Sequence, residues 1–140
     1  MSVACWGAGA AGAVGTGESK DEQLPIVVEG QLRGKHVVSI GAGEQHSLAL
    51  DDLGNVYAWG RNREGQAGQN STQYNYASPV RIEHLLRERV VKIVAGGHQS
   101  FAITSDGRLY RWGLFHELVP YILPITSAHR ARMTCCADTR

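Results

Sequence analysis

Long apolar runs, paired cysteines and an excess of one charge are all missing from this chain. No stretch of its 140 residues is apolar enough to span a membrane as a helix. Its three cysteines, Cys5, Cys135 and Cys136, make no disulfide framework, and the last two are adjacent and poorly placed to bond each other. Fourteen basic and thirteen acidic residues leave a formal +1, whereas a general nucleic-acid binder carries a basic footprint. The opening MSVACWGAGAAGAVGTG lacks the basic region of a secretory signal. The expectation is a reduced intracellular setting, cytoplasmic or nuclear, with no membrane partner. Hydrophobic residues at 43% and charged residues at 19% exclude disorder as a whole-chain description. Glycine is what the chain has in excess. Seventeen in 140 is about 12%, against a usual share of about 7%. It does not recur at every third position, so the collagen reading fails. Tight turns between many short strands remain.

The glycines belong to a repeat. Shifted by 53 positions, residues 37–60 align without gaps on residues 90–113, and 11 of the 24 positions are identical. The identities include Gly43/Gly96, Ser47/Ser100, Tyr57/Tyr110, Trp59/Trp112 and Gly60/Gly113. The same offset carries Trp6, Gly7, Gly12 and Gly15 onto Trp59, Gly60, Gly65 and Gly68. About 2.6 periods are therefore present. Each unit reads as short strands. Residues 37–40 and 90–94 are β-branched runs, and 46–50 and 99–103 alternate, with Leu48 and Leu50 on one face and Ser47 and Ala49 on the other. Asp52-Leu53-Gly54 and Ser105-Asp106-Gly107 are turns leading to strands at 56–59 and 109–112. Prolines suited to a strand's start or edge mark a fourth strand at 25–29 and 80–83. Residues 83–89 predict one helical turn. Four strands at a period near 50 describe a propeller blade.

Ala42-Gly43-Glu44-Gln45-His46-Ser47-Leu48-Ala49-Leu50, followed by Gly54-Asn55-Val56-Tyr57-Ala58-Trp59-Gly60-Arg61-Asn62-Arg63-Glu64-Gly65-Gln66-Ala67-Gly68, resembles the repeat of the regulator of chromosome condensation (Ran exchange factor) family. The resemblance covers residues 3–113. It implies an all-β fold, a partial β-propeller of four-stranded antiparallel blades from a seven-bladed type. It also implies protein binding, with guanine-nucleotide exchange on a small GTPase, chromatin docking and a recognition role in HECT-type ubiquitin ligases among the family's activities. Seven blades of 53 residues need about 370 residues, so the chain reads as a truncated or alternatively terminated member. Two departures stand out. Gly97-His98-Gln99 puts glutamine where the pattern has histidine, and Leu114-Phe115-His116-Glu117 replaces the glycine-rich loop. Members that sense ultraviolet-B carry tryptophan where this chain has Glu44-Gln45-His46 and Gly97-His98-Gln99, so light sensing is not expected.

Rival chemistries are weak. Gly7, Gly9 and Gly12 fit G-x-G-x-x-G, with Glu29 22 residues past Gly7. That is close to a dinucleotide fingerprint and offers an enzyme as an alternative. The helix that must follow, at 13–24, carries Gly15 and Gly17 at about 1 kcal/mol each. Trp6, Trp59 and Trp112 recur once per repeat and are expected in a core between blades. His46 beside Ser47 suggests a dyad, but its place in the repeat argues for a structural hydrogen bond. No histidine and cysteine spacing suits zinc. Catalytic, cofactor and metal residues are thus expected to be absent. Arg81, His84, Arg87, Arg89 and Lys92 form the densest basic stretch, relieved by Glu83 and Glu88 and read as a solvated loop between blades, with a patch for an acidic partner or a phosphate backbone as the alternative. Arg61, Asn62, Arg63 and Glu64, on the loop after the Trp-Gly joint, are the candidate partner contacts. Trp6, Gly7, Gly43, His46, Trp59, Gly60, Gly96, Trp112 and Gly113 are the structural repeat positions. The expected division is 1–113 as repeats and 114–140 as a divergent tail, where 118–125 adds one strand and the rest is disordered. An open propeller leaves edges exposed, so self-association or completion by a partner is expected.

Overall fold

The repeat predicts that successive sheets stack face to face, and the computed structural model of the chain shows how. It describes residues 2–69, 71–114 and, for the backbone, 123–124. Ten strands follow in order: β1 Val3–Gly7, β2 Glu22–Val28, β3 Val37–Ala42, β4 His46–Asp51, β5 Val56–Arg61, β6 Asn75–Arg81, β7 Val90–Ala95, β8 Gln99–Thr104, β9 Leu109–Gly113 and β10 Leu123–Pro124. They form three antiparallel sheets, β1-β2, β3-β4-β5-β6 and β7-β8-β9-β10, each a simple meander. The middle and third sheets each hold four strands. Three strands of the last blade come from 90–113, and Leu123–Pro124, within the 118–125 stretch, pairs as its fourth opposite Arg111 and Tyr110. The expected disorder of 126–140 lies outside the described residues. Short 3-10 turns occupy Ala10–Gly12, Gly30–Leu32 and Glu83–Leu85. No helix among the described residues is long and apolar enough to cross a membrane.

Alternation along β4 gives both faces of the middle sheet a core. Ala49, Tyr57 and Trp59 pack with Val3, Val28, Leu32 and Val37 toward the first sheet. Leu48, Leu50, Val56 and Ala58 pack with Ile82, Leu85, Val90, Ile93, Ala102, Tyr110 and Trp112 toward the third. A strand covered on both sides needs no polar face, which is why β5 is buried from Val56 through Gly60.

Irregularities repeat with the period. An extra residue, Val38 or Val91, interrupts the register at the start of each inner strand. Val37 and Val90 then face the core while Val38 and Val91 stay exposed. The fourth strands begin earlier than their prolines suggest, at Glu22 and Asn75 instead of 25 and 80. Pro25 and Pro79 do not start these strands. They sit in bulges opposite Trp6 and Trp59, where a missing N–H breaks no ladder bond.

The Gly7-Gly9-Gly12 alternative is overturned here. Gly7 ends a strand whose partner is antiparallel, and residues 10–12 make only a 3-10 turn. A dinucleotide site needs a parallel strand and a full helix N-terminus, and neither follows β1 among the described residues.

Candidate partner-binding face and the blade-to-blade joints

The turns after β3 and the loops after β5 meet at one end of the blades. Gly60 holds them together. It has φ 94, and a Cβ there would lie 2.4 Å from the Gln45 carbonyl oxygen, so only glycine lets β5 pass this close. Gly113 repeats the arrangement against the His98 carbonyl oxygen, at 2.3 Å. Arg61 continues from this joint. Its N–H donates to the Gln45 carbonyl (2.8 Å), its Nη1 to Gln45 Oε1 (2.8 Å), and its Nε and Nη2 form a fork on Glu64 (3.1 and 2.8 Å). Burial pushes the Glu64 carboxyl up. The hydrogen bonds from Arg61 and Gln66, with the charges of Arg61 and His98, outweigh it and hold the group below the usual carboxylate range.

The four candidate contact residues separate into different roles. Asn62 is buried. Its Oδ1 accepts from Ala67 N–H (3.2 Å), and its Nδ2 donates to the carbonyls of Gln69 (3.3 Å) and Gln73 (3.2 Å), so it shapes the loop from inside. Arg61 and Glu64 are engaged with each other. Arg63 is exposed and makes no hydrogen bond or ion pair with the described residues. Tyr74, which sequence reasoning missed, is 68% exposed beside it. Both line an open cleft of about 540 Å³ with Ala10, Ala11, Gln45, Arg61 and Asn75. The cleft lies between the loops of the first and second sheets. Ala11 at its lip holds φ 59, a left-handed conformation that costs a residue with a Cβ about 1–2 kcal/mol.

Behind this face, one carbonyl of each preceding blade receives two side chains of the next. Ser47 Oγ and Trp59 Nε1 both donate to the Ala13 carbonyl, at 3.0 and 2.9 Å. One period later Ser100 Oγ and Trp112 Nε1 both donate to the Gln66 carbonyl, each at 2.9 Å. Trp59 and Trp112 are accordingly buried. Trp6 is 62% exposed, because among the described residues no loop precedes it to receive its indole.

His46 joins the second and third blades. It is 1% exposed, and its Nε2 lies 2.8 Å from Ser100 Oγ. The single hydroxyl proton of Ser100 goes to the Gln66 carbonyl, which can only accept. Ser100 therefore accepts from His46 Nε2–H, and His46 is the neutral tautomer with a bare Nδ1. That Nδ1 is buried without a partner. Burial, with the His98 charge, lowers the imidazole pKa to about 4 against a weaker opposing pull from the Gln99 carbonyl. The Ser47 beside it in sequence points to a different blade, so no dyad forms. Gly43 packs on the ring, and a Cβ there would sit 2.3 Å from His46 Cε1. At Gly96, where Gln99 replaces the histidine, the nearest atom would be 3.7 Å away. No group of three or more histidine, cysteine or acidic side chains suited to a metal occurs among the described residues.

A family profile described as Regulator of chromosome condensation (RCC1) repeat matches residues 2–50 and 54–103, and a second RCC1 repeat profile matches 37–66. The chain belongs to the RCC1 repeat family. It is 36% identical over 147 residues to the ultraviolet-B receptor UVR8 of Arabidopsis thaliana, covering 97% of this chain and 33% of UVR8. It is 37% identical over 110 residues to the E3 ubiquitin-protein ligase HERC2 of Homo sapiens, covering 77% of this chain and 2% of HERC2. Human WBSCR16 superposes with a TM-score of 0.81 at 21% identity, covering 89% of this chain and 33% of that one. Prp20p of Saccharomyces cerevisiae superposes at 0.74 with 24% identity, covering 87% and 33%. These two likenesses establish the fold, a stretch of RCC1 propeller. The chain spans a third or less of each of these proteins.

Proposed function

We propose that this RCC1 segment binds a protein partner through the loop face of Arg61, Arg63 and Tyr74, and that a small GTPase is the partner class. The observation that carries the reading is the division of labour in the loop. Asn62, Glu64 and Gln66 hold its shape by internal bonds, which leaves the Arg63 guanidinium and the Tyr74 ring free at an open cleft. An exposed arginine and tyrosine on a preformed loop suit a protein interface, where these residues carry much of the binding energy at low ordering cost. Prp20p was solved together with a study of its binding to Gsp1p and histones, so a GTPase and chromatin are the partner classes it suggests for this chain. Exchange works by opening a nucleotide site through a broad protein surface and requires no catalytic triad. A second reading, partner recognition within a ubiquitin ligase, is favoured by the 37% identity to HERC2.

The test is release of fluorescent GDP from a Ran-type GTPase with this chain at micromolar concentration, alongside direct binding by calorimetry. Accelerated release, reduced at least about tenfold by Arg63→Ala with Tyr74→Ala, supports exchange. Binding without acceleration supports recognition alone and removes exchange. No binding overturns the GTPase reading.

A further inference from the structure

The opposite ends of the blades carry a second surface that the loop face does not use. There the β4–β5 turn meets the crossover into the next blade. Val90 N–H donates to the Gly54 carbonyl (3.3 Å), which holds the two pieces of chain together, and Ser105 N–H of the β8–β9 turn donates to the Arg89 carbonyl (2.8 Å), which fixes the crossover to the third blade. Between them lies a cleft of about 350 Å³. Both of its walls belong to described blades, the second and the third. Its apolar surface comes from Leu53, 71% exposed, and Leu86, 46% exposed. Its charge comes from Arg87 and Arg89, both exposed and both without an ion pair among the described residues. Glu88, between them in sequence, is taken by Arg108 at 2.6 Å. Asp52 is the remaining carboxylate of the lining.

The same cleft recurs one period earlier. Ser2, Arg33, Lys35 and His36 line a space of about 340 Å³ and correspond by the 53-residue offset to Asn55, Leu86, Glu88 and Arg89. The basic residues sit at different places in the two copies, yet both clefts present two cations without a described ion-pair partner. The two clefts therefore share a pair of cations, while the exposed leucine pair belongs to the second alone, since Arg33 stands at the Leu86 position of the first.

We infer that the Leu53–Leu86 cleft docks an acidic polypeptide segment that carries an apolar anchor side chain. The two leucines are uncovered apolar surface in a formed concavity, and an aliphatic side chain of the partner would bury them. Arg87 and Arg89 supply charge complementarity for flanking carboxylates, with guanidinium forks suited to them. A nucleic acid fits less well. Its phosphates would engage the arginines but leave both leucines in water, and the lining offers no aromatic ring on which a base would stack.

The experiment uses the full chain and fluorescence anisotropy. The probe is a short fluorescein-labelled peptide of glutamates interspersed with leucines. The comparison probes are the same peptide with serine for leucine and a labelled DNA duplex. The Glu–Leu peptide is expected to bind in the micromolar range. The serine peptide is expected to bind at least about fivefold more weakly, and R87E with R89E to weaken the first probe at least about tenfold. Charge-neutral R87Q with R89Q, checked for unchanged tryptophan emission, gives the same direction without risk from charge reversal. Arg63→Ala on the other face leaves this binding unchanged, which separates the inference from the GTPase reading. Hydrogen exchange with the peptide bound should slow at 52–55 and 82–89. Tighter binding of the duplex than of the peptide, equal binding of both peptides, or no effect of either arginine pair overturns the proposal.

Discussion

Acidification should loosen the joint between the second and third blades through one side chain. His46 is neutral in the fold with a pKa of about 4, and an unfolded histidine titrates near 6.5. Between those values the unfolded chain binds a proton that the folded chain refuses. Its contribution is whole above pH 6.5 and is lost as pH falls toward 4. Linkage over this gap gives roughly 2.5 kcal/mol lost at pH 4.5 relative to pH 7.5. The cause is geometric. A proton on Nδ1 would be buried against Gly43 with no acceptor, and the charge would face His98. Carboxylates held low in the fold, such as Asp51 and Glu64, also lose stability on acidification, but mainly below the range of their unfolded pKa, about 4. The measurement is urea unfolding followed by tryptophan emission at several pH values from 7.5 to 4.5. His46→Gln is the control. Glutamine already occupies the matching position as Gln99, and it retains a donor for Ser100. The variant should cost about 1 kcal/mol at pH 7.5 and remove most of the slope between 6.5 and 4.5. A flat profile in the native chain, or an equally steep one in the variant, would refute the reasoning.

Other expectations follow from the same joints. Trp59→Phe and Ser47→Ala should each cost about 1 kcal/mol in hydrogen bonding, because the Ala13 carbonyl keeps one donor in each; the double variant should exceed the sum in a urea double-mutant cycle, since it orphans the carbonyl. Gly43→Ala should destabilise by about 1–3 kcal/mol while Gly96→Ala stays within about 0.5 kcal/mol, as read by thermal melting. Asn62→Ala removes a side chain that makes three bonds and should lower stability by about 1–3 kcal/mol, with faster amide exchange at 63–69. Ala11→Gly should raise the midpoint slightly, by about 0.5–1 kcal/mol in stability, because it relieves a left-handed residue.

The 53-residue period by itself determined the strand order, the turns and the stacking of like sheets, because a recurring pattern of alternation and glycine admits few other solutions. It also marked Trp6, Trp59 and Trp112 as core, which holds for the last two and not for the exposed Trp6, and Leu48 and Ala49 as residues of opposite faces. What it did not reveal depends on contacts between residues far apart in the chain. That Ser47 and Trp59 share the Ala13 carbonyl, and that His46 reads Ser100 of the next blade, follows from how blades stack and leaves no local signal. The fourth strands start three to five residues earlier than the prolines suggest, because a bulge can absorb proline where a regular ladder cannot. The candidate loop was legible as a place but not as a surface. Arg61, Asn62, Arg63 and Glu64 look alike in sequence, yet the structure turns one inward, pairs two and leaves Arg63 beside Tyr74 at the cleft. Sequence spacing sets which residues share a loop, while burial and hydrogen-bond geometry decide which of them a partner can reach.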